Sequence, residues 1–237
     1  GTTYVVDSDD GRGNAIHGFV YNHPWHAEQT AENSVRGIFR AADVDPTILD
    51  QWPADFELTT EYTLESRRLV SQFTIRSFER PLPCGLGLHP YFRIKLQPDA
   101  AEVTLRAPVF HRWPLENMNP TGVTESTGND LANGIVVNQI ELDDVYSVRQ
   151  DSDDTKLHEA FVGTADSGVF VQFDDNFPHC VLYTPPHREA ICIEPYTCVP
   201  NAIVQTNTDS RNRFGLKVLR PHSSWTVNVT YRAESSF

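Results

Sequence analysis

Two short segments of this chain each set one ionisable side chain beside a proline at the end of an apolar run. One is Cys192-Ile193-Glu194-Pro195-Tyr196-Thr197; the other, far upstream, is Gly87-Leu88-His89-Pro90-Tyr91-Phe92. A carboxylate and an imidazole held at strand ends can face one another across a cleft, one taking a proton and the other delivering one. Glu194 follows Ala190-Ile191-Cys192-Ile193. Burial there would raise its pKa and suit it to act as a base, whereas a glutamate on an edge strand would simply meet water. His89 follows Gly85-Leu86-Gly87-Leu88, and such glycines let two backbones approach closely or mark a bulge. A lone histidine on an apolar strand also serves as a satisfied core group. Tyr91 and Phe92 add aromatic surface at the same place, the kind on which the apolar C–H face of a sugar ring stacks.

Other candidates are more scattered. His17 lies in Asn14-Ala15-Ile16-His17-Gly18-Phe19, with Trp25 soon after; His23 and His26 read as surface residues. Asp143 and Asp144 are adjacent, and adjacent strand residues face opposite sides, so at most one can enter a shared site. That weakens a glycosidase reading in which both serve as acid and base. The four cysteines, at 84, 180, 192 and 198, form no CxxC and read as reduced thiols. Cys180, Cys192 and Cys198 with His179 match no usual zinc spacing, so no metal is expected.

The elements that must hold these groups are strands. Phe56, Leu58, Thr60, Tyr62 and Leu64 alternate with Glu57, Thr59, Glu61 and Thr63, the period-two pattern of a half-buried strand. Leu69 to Phe78 reads as its return. Trp225, Val227, Val229 and Tyr231 alternate in the same way, and His179 to Tyr183 and Arg213 to Leu219 are further candidate strands. Pro, Gly, Asn or Asp closes each short run, the rhythm of an antiparallel sandwich or barrel. Pro46 to Trp52, with Asp45 as N-cap, is the one expected helical turn, and Pro114 to Gly134 reads as a long polar loop. One all-β domain over residues 1–237, without linker or repeat, is the expectation.

Charge narrows the partners. The net charge of -13, with no basic stripe, speaks against nucleic acid and anionic membranes. No apolar run is long enough to span a bilayer as a helix, and no secretory signal is read, so a cytoplasmic protein is expected.

In order along the chain, these segments resemble the aldose 1-epimerase (galactose mutarotase) family. Asn14 to Phe19 is similar to its Asn-x-Leu-His-Gly segment and Leu88 to Phe92 to its His-x-Tyr-Phe. Leu142-Asp143-Asp144-Val145-Tyr146 is similar to its Asp-x-x-Phe, Ile193 to Thr197 to its catalytic glutamate segment, and Leu219-Arg220-Pro221 to the turn before its last strand. The resemblance implies a large antiparallel β-sandwich of the galactose mutarotase-like type, with its site on the concave face and no cofactor. It implies Glu194 as base and His89 as acid, with His17, Asp143, Trp25 and Tyr91 contacting a free aldohexose whose α and β anomers are interconverted. The expected quaternary state is monomer or homodimer. Glu194 and His89 are expected on opposite sides of a hexose-wide space. Alternatives on the same fold are a hexose-6-phosphate epimerase, for which Arg93 is the visible phosphate ligand, and a non-catalytic sugar binder.

Three departures accompany the resemblance. The family's sugar-contacting arginine, upstream of the Asn-x-Leu-His segment, has no counterpart before Asn14, and the expectation is a missing N-terminal piece. Val181 stands where many galactose mutarotases carry glutamine. His222 replaces a turn glycine.

Overall fold

The computed structural model describes residues 2–96, 98–149, 157–204 and 213–235. The strands, in chain order, are β1 (His26–Ala31), β2 (Ser34–Arg40), β3 (Phe56–Glu65), β4 (Arg68–Ser77), β5 (Leu82–Cys84), β6 (Tyr91–Arg93), β7 (Thr104–Arg106), β8 (Val109–Trp113), β9 (Leu115–Glu116), β10 (Asn119–Pro120), β11 (Glu125–Ser126), β12 (Ile135–Val136), β13 (Asp143–Val148), β14 (Leu157–Gly163), β15 (Ser167–Asp174), β16 (His179–Tyr183), β17 (Ala190–Tyr196), β18 (Lys217–Leu219) and β19 (Ser224–Ser235). The fold is nearly all β with antiparallel sheets, as expected, and the described residues form no closed barrel.

The chain divides into two compact units, residues 1–65, 70–84 and 217–228 in the first, 66–69, 85–216 and 229–237 in the second. Each draws on separate stretches of chain.

In the first unit β1, β2, β3, β4 and the start of β19 lie in that order in one sheet. The alternation of β3 works as its sequence predicts: Phe56, Leu58 and Thr60 are buried. Phe39 stacks on Phe56 at 5.9 Å. The helical turn is shorter than expected, Ile48–Gln51 with Thr47 at its N-cap. Asp45 lies two residues before it and accepts bonds from the Thr47 amide and hydroxyl.

In the second unit the end of β19 continues into β15, β14, β7 and β12, and a six-stranded sheet runs β11-β8-β13-β16-β17-β6. Every residue from Ala190 to Pro195 is buried, as is every residue from His179 to Leu182. These central strands are covered on both faces, so they read as continuous apolar runs without alternation. One face of β16, β17 and β6 carries Cys180, Leu182, Ile191, Ile193 and Phe92, and Phe92 meets Tyr231 of β19 at 6.0 Å.

Two expectations are corrected. The stretch Pro114 to Gly134 is no bare loop. It holds β9, β10, β11 and a helical turn, Asp130–Asn133; pairs of two residues are too short to show a period. The strand expected over Arg213 to Leu219 is confined to Lys217–Leu219, because Phe214 turns into the core.

Candidate active site

Alternation along β17 puts Cys192, Glu194 and Tyr196 on the face opposite Ile191 and Ile193. Cross-strand register then fixes their neighbours: Tyr91 and Tyr183 flank Cys192, Val181 lies opposite Glu194, and Asp143 lies opposite Tyr183. The same face runs on into a cluster of Trp113, Val145, Val181, Val199, Ala202 and Phe214, with Tyr183 and Tyr196 packed against it. One sheet face therefore carries a polar group at one end and an apolar wall beside it.

His89 arrives from a different piece of chain. Residues 86–88 run along the end of β17: Thr197 donates its amide to Leu86 O at 2.9 Å and Leu88 donates to Pro195 O at 3.1 Å. The Thr197 hydroxyl accepts from the Leu86 amide at 2.8 Å. This close approach explains the glycines. A Cβ on Gly87 would lie 2.7 Å from the Tyr196 ring, and one on Gly85 would lie 2.3 Å from Cys198 Sγ. Both distances are too short for a real side chain, so glycine is required for His89 to sit where it does.

The result is a close pair. His89 Nδ1 lies 3.3 Å from Glu194 Oε1, with Glu194 almost fully buried and His89 partly open. Tyr91 stacks on the His89 ring at 4.9 Å, interplanar angle 4°, and Tyr183 meets it edge-on at 6.2 Å. Burial pushes the Glu194 carboxyl up to about 8; the Tyr196 hydroxyl bonded to it pulls the value down, and the charge of Asp143 pushes it up. Desolvation is the dominant cause because the ionised form has lost most of its water. The Cys192 thiol, also buried and beside Glu194, is pushed up to about 12.

The structure brings four of the six sequence-predicted residues, His89, Tyr91, Asp143 and Glu194, to this face. Asp143 is exposed at the start of β13, and Asp144 points away, pairing with Arg112 at 3.2 Å. His17 and Trp25 belong to the first unit. There His17 is exposed in a turn with φ 62° and lies edge-on to Tyr21 at 5.4 Å. Trp25 packs on Phe39 and donates its indole N–H to Val20 O at 2.9 Å. Glu194 and His89 do not stand a hexose apart, as expected from sequence; they touch. Tyr183, Cys192 and Tyr196 were not anticipated. Cross-strand register singles them out, and the sequence carries no signal for it beyond their spacing from Glu194.

The buried carboxylate and imidazole, reached from separate segments and held against an aromatic ring, give an acid/base pair. A model of the aldose 1-epimerase family matches residues 1–232. The chain belongs to that family.

Similarity to individual proteins is distant. The LacX proteins of Lactococcus lactis, plasmid and chromosomal, are 24% identical over 207 residues, covering 81% of this chain and 66% of theirs. The chain thus spans just under two thirds of the length of those curated relatives. Among solved structures, a galactose mutarotase-like protein of Clostridium acetobutylicum superposes with a TM-score of 0.82 at 20% identity, over 96% of this chain and 71% of that one. The GalM/aldose epimerase homologue of C. elegans gives 0.70 at 16%, over 90% and 69%. At such identities the likeness is one of fold. Among the described residues no helix is long and apolar enough to cross a membrane.

Proposed function

We propose that this member of the aldose 1-epimerase family interconverts the α and β anomers of a free aldohexose, with Glu194 as base and His89 as acid. The observation that carries the reading is the 3.3 Å contact between a buried carboxylate and a partly open imidazole. Ring opening needs a proton taken from the anomeric hydroxyl and one given to the ring oxygen. Those two oxygens share a single carbon, so the groups that serve them must be neighbours, and a contact pair suits this better than a wide gap. Glu194 accepts the O1 proton as C1=O1 forms and C1–O5 breaks, and His89 protonates O5. After rotation about C1–C2 the steps reverse on the other face of the aldehyde. The pair carries one mobile proton in total before and after each half-reaction, so the cycle closes.

Tyr91, flat against His89 and exposed, offers a stacking surface for the sugar, and Asp143 offers an acceptor for its hydroxyls. A well-placed acid or base contributes on the order of 10²–10⁴-fold, enough to speed a reaction that already proceeds slowly in water.

Saturation-transfer NMR between the anomers of glucose, galactose and a hexose 6-phosphate tests this. Exchange above the buffer rate for a free hexose, lost in His89→Asn, is the expected result. Acceleration confined to the phosphorylated sugar would favour a phosphohexose epimerase that uses Arg93, two residues beyond Tyr91 on β6. Binding without exchange would leave a sugar-binding protein.

A further inference from the structure

We propose that His89, Cys192 and Glu194 form a binding site for a single thiophilic divalent cation of the zinc type, and that such an ion blocks the acid/base pair. The consequence for catalysis rests on the epimerase reading; the metal site does not.

Among the described residues these three are the one grouping of at least three His, Cys, Asp or Glu side chains that could hold an ion together, each offering a ligand atom within 4.8 Å of the others. They differ from a solvated acidic patch in three respects. Their donors are nitrogen, sulfur and oxygen, the mixed set that zinc accepts and that calcium or magnesium does not. Cys192 and Glu194 are buried, at 0% and 1% exposure. Oε1 of Glu194 is enclosed and receives no aligned hydrogen bond, its neighbour being the His89 ring nitrogen.

The geometry is close to what an ion needs. Tetrahedral zinc with bonds of roughly 2.0–2.3 Å holds its ligand atoms roughly 3.3–3.8 Å apart. The His89–Glu194 separation of 3.3 Å already lies there. The sulfur lies within 4.8 Å of both other ligand atoms, so it has to close by at most roughly an ångström. Backbone register makes this possible: Cys192 and Glu194 are two residues apart on one strand face, and His89 is delivered beside them by the segment paired to Tyr196. Three protein ligands leave a fourth position open, the arrangement of an accessible rather than a closed structural site. The thiol proton passes to buffer on coordination. Tyr91, whose hydroxyl bonds the Cys192 thiol, is itself exposed at the surface. Once bound, an ion occupies both the carboxylate and the imidazole, and neither can move a proton.

Cobalt(II), alone, is the probe, because a thiolate ligand gives it a charge-transfer absorption that nitrogen and oxygen ligands do not. Wild-type protein should develop this band to saturation at one equivalent, with zinc displacing it. Cys192→Ala should abolish the band while Cys84, Cys180 and Cys198 remain, and Glu194→Gln and His89→Asn should weaken binding at least tenfold. Cys192→Ser serves as the second variant should alanine impair folding, checked by circular dichroism. No band in the wild type, or a band that survives in either folded Cys192 variant, overturns the site. In a second arm zinc should slow anomer exchange, reversibly by chelator, and the ratio of rates with and without zinc should approach one in Cys192→Ala. Saturable zinc binding with undiminished exchange overturns the blocking role. A cobalt band in a protein with no metal-free exchange leaves the metal site standing and removes the epimerase reading instead.

Discussion

β17 and β13 each present a carboxylate to the same face of one sheet, and the two are opposites. Glu194 lies within a strand buried on both sides, 1% exposed, and its carboxyl is pushed up to about 8. Asp143 lies at the start of its strand and is exposed. The difference comes from water, not from residue type: a carboxylate stripped of hydration holds its proton more tightly. Near neutral pH Glu194 can therefore both hold and release a proton, which a catalytic base must do. Asp143 instead contributes its charge, one of the causes that raise Glu194. One strand supplies the group that titrates and the other helps set where it does so.

The largest expected effect breaks this comparison outright. Glu194→Gln keeps the shape and one acceptor but cannot take the proton. Anomer exchange should fall on the order of 10²–10⁴-fold, with sugar binding by titration little changed. Retained exchange would remove Glu194 from the role of base. Weakened binding with unchanged turnover would make it a sugar-positioning residue.

Stability should carry the same signature. Glu194 binds its proton more tightly in the folded protein, at about 8 against an ordinary 4.5. Its favourable contribution is whole below the unfolded value and is lost as the pH rises through the folded one. Glu194→Gln, neutral throughout, should therefore melt higher than the parent above about pH 8 and match it below about pH 4.5. Each unit of displacement corresponds to about 1.4 kcal/mol, so the gap in denaturant unfolding at alkaline pH should be on the order of a few kcal/mol. A gap independent of pH would mean that the carboxylate is not desolvated.

The contrast between the strands also shows what sequence can reveal. β3 and the start of β19 have one wet face, so their alternation was legible, down to buried Val227 and Val229. β16 and β17 are wet on neither, and their runs identify burial without saying which side a residue faces. Glu194 stood out because a charge interrupts such a run. His89 stood out because glycines precede it, and those glycines do permit the approach to Tyr196 and Cys198. Tyr183, Cys192 and Tyr196 did not stand out. Their place depends on register, Val181 opposite Glu194 and not one residue either way, and register is decided between strands. For the same reason the direct contact of His89 and Glu194 was not legible, only their membership of one site.

Asp143→Asn sharpens the comparison from the other strand. Removing a negative charge near Glu194 should lower its pKa, so the acid limb of the pH–rate profile should move to lower pH, while KM for the sugar rises by roughly tenfold or less, the worth of a single exposed hydrogen bond. An unmoved limb would show that the field of Asp143 does not reach the pair.

Tyr196→Phe should give the smallest shift, and in the opposite direction. Its hydroxyl bonds the Glu194 carboxylate and is the one influence that lowers its pKa. A hydrogen bond to the charged form favours that form, so deleting it should move the acid limb to higher pH. The ring stays, and with it the packing against Gly87, so stability at low pH should be nearly unchanged. Tyr196 is a positioning residue here: it acts on the sugar only through Glu194. Its effect should therefore concentrate in the pH at which the rate rises and in kcat, with KM nearly constant. A purely structural role would lower stability at every pH and leave the limb in place. A rise in KM without a displaced limb would mean that the hydroxyl contacts sugar directly. Opposite displacements from Asp143→Asn and Tyr196→Phe, partly cancelling in the double variant, would locate both influences on one carboxylate. Displacements of the same sign would mean that a group other than Glu194 sets the limb.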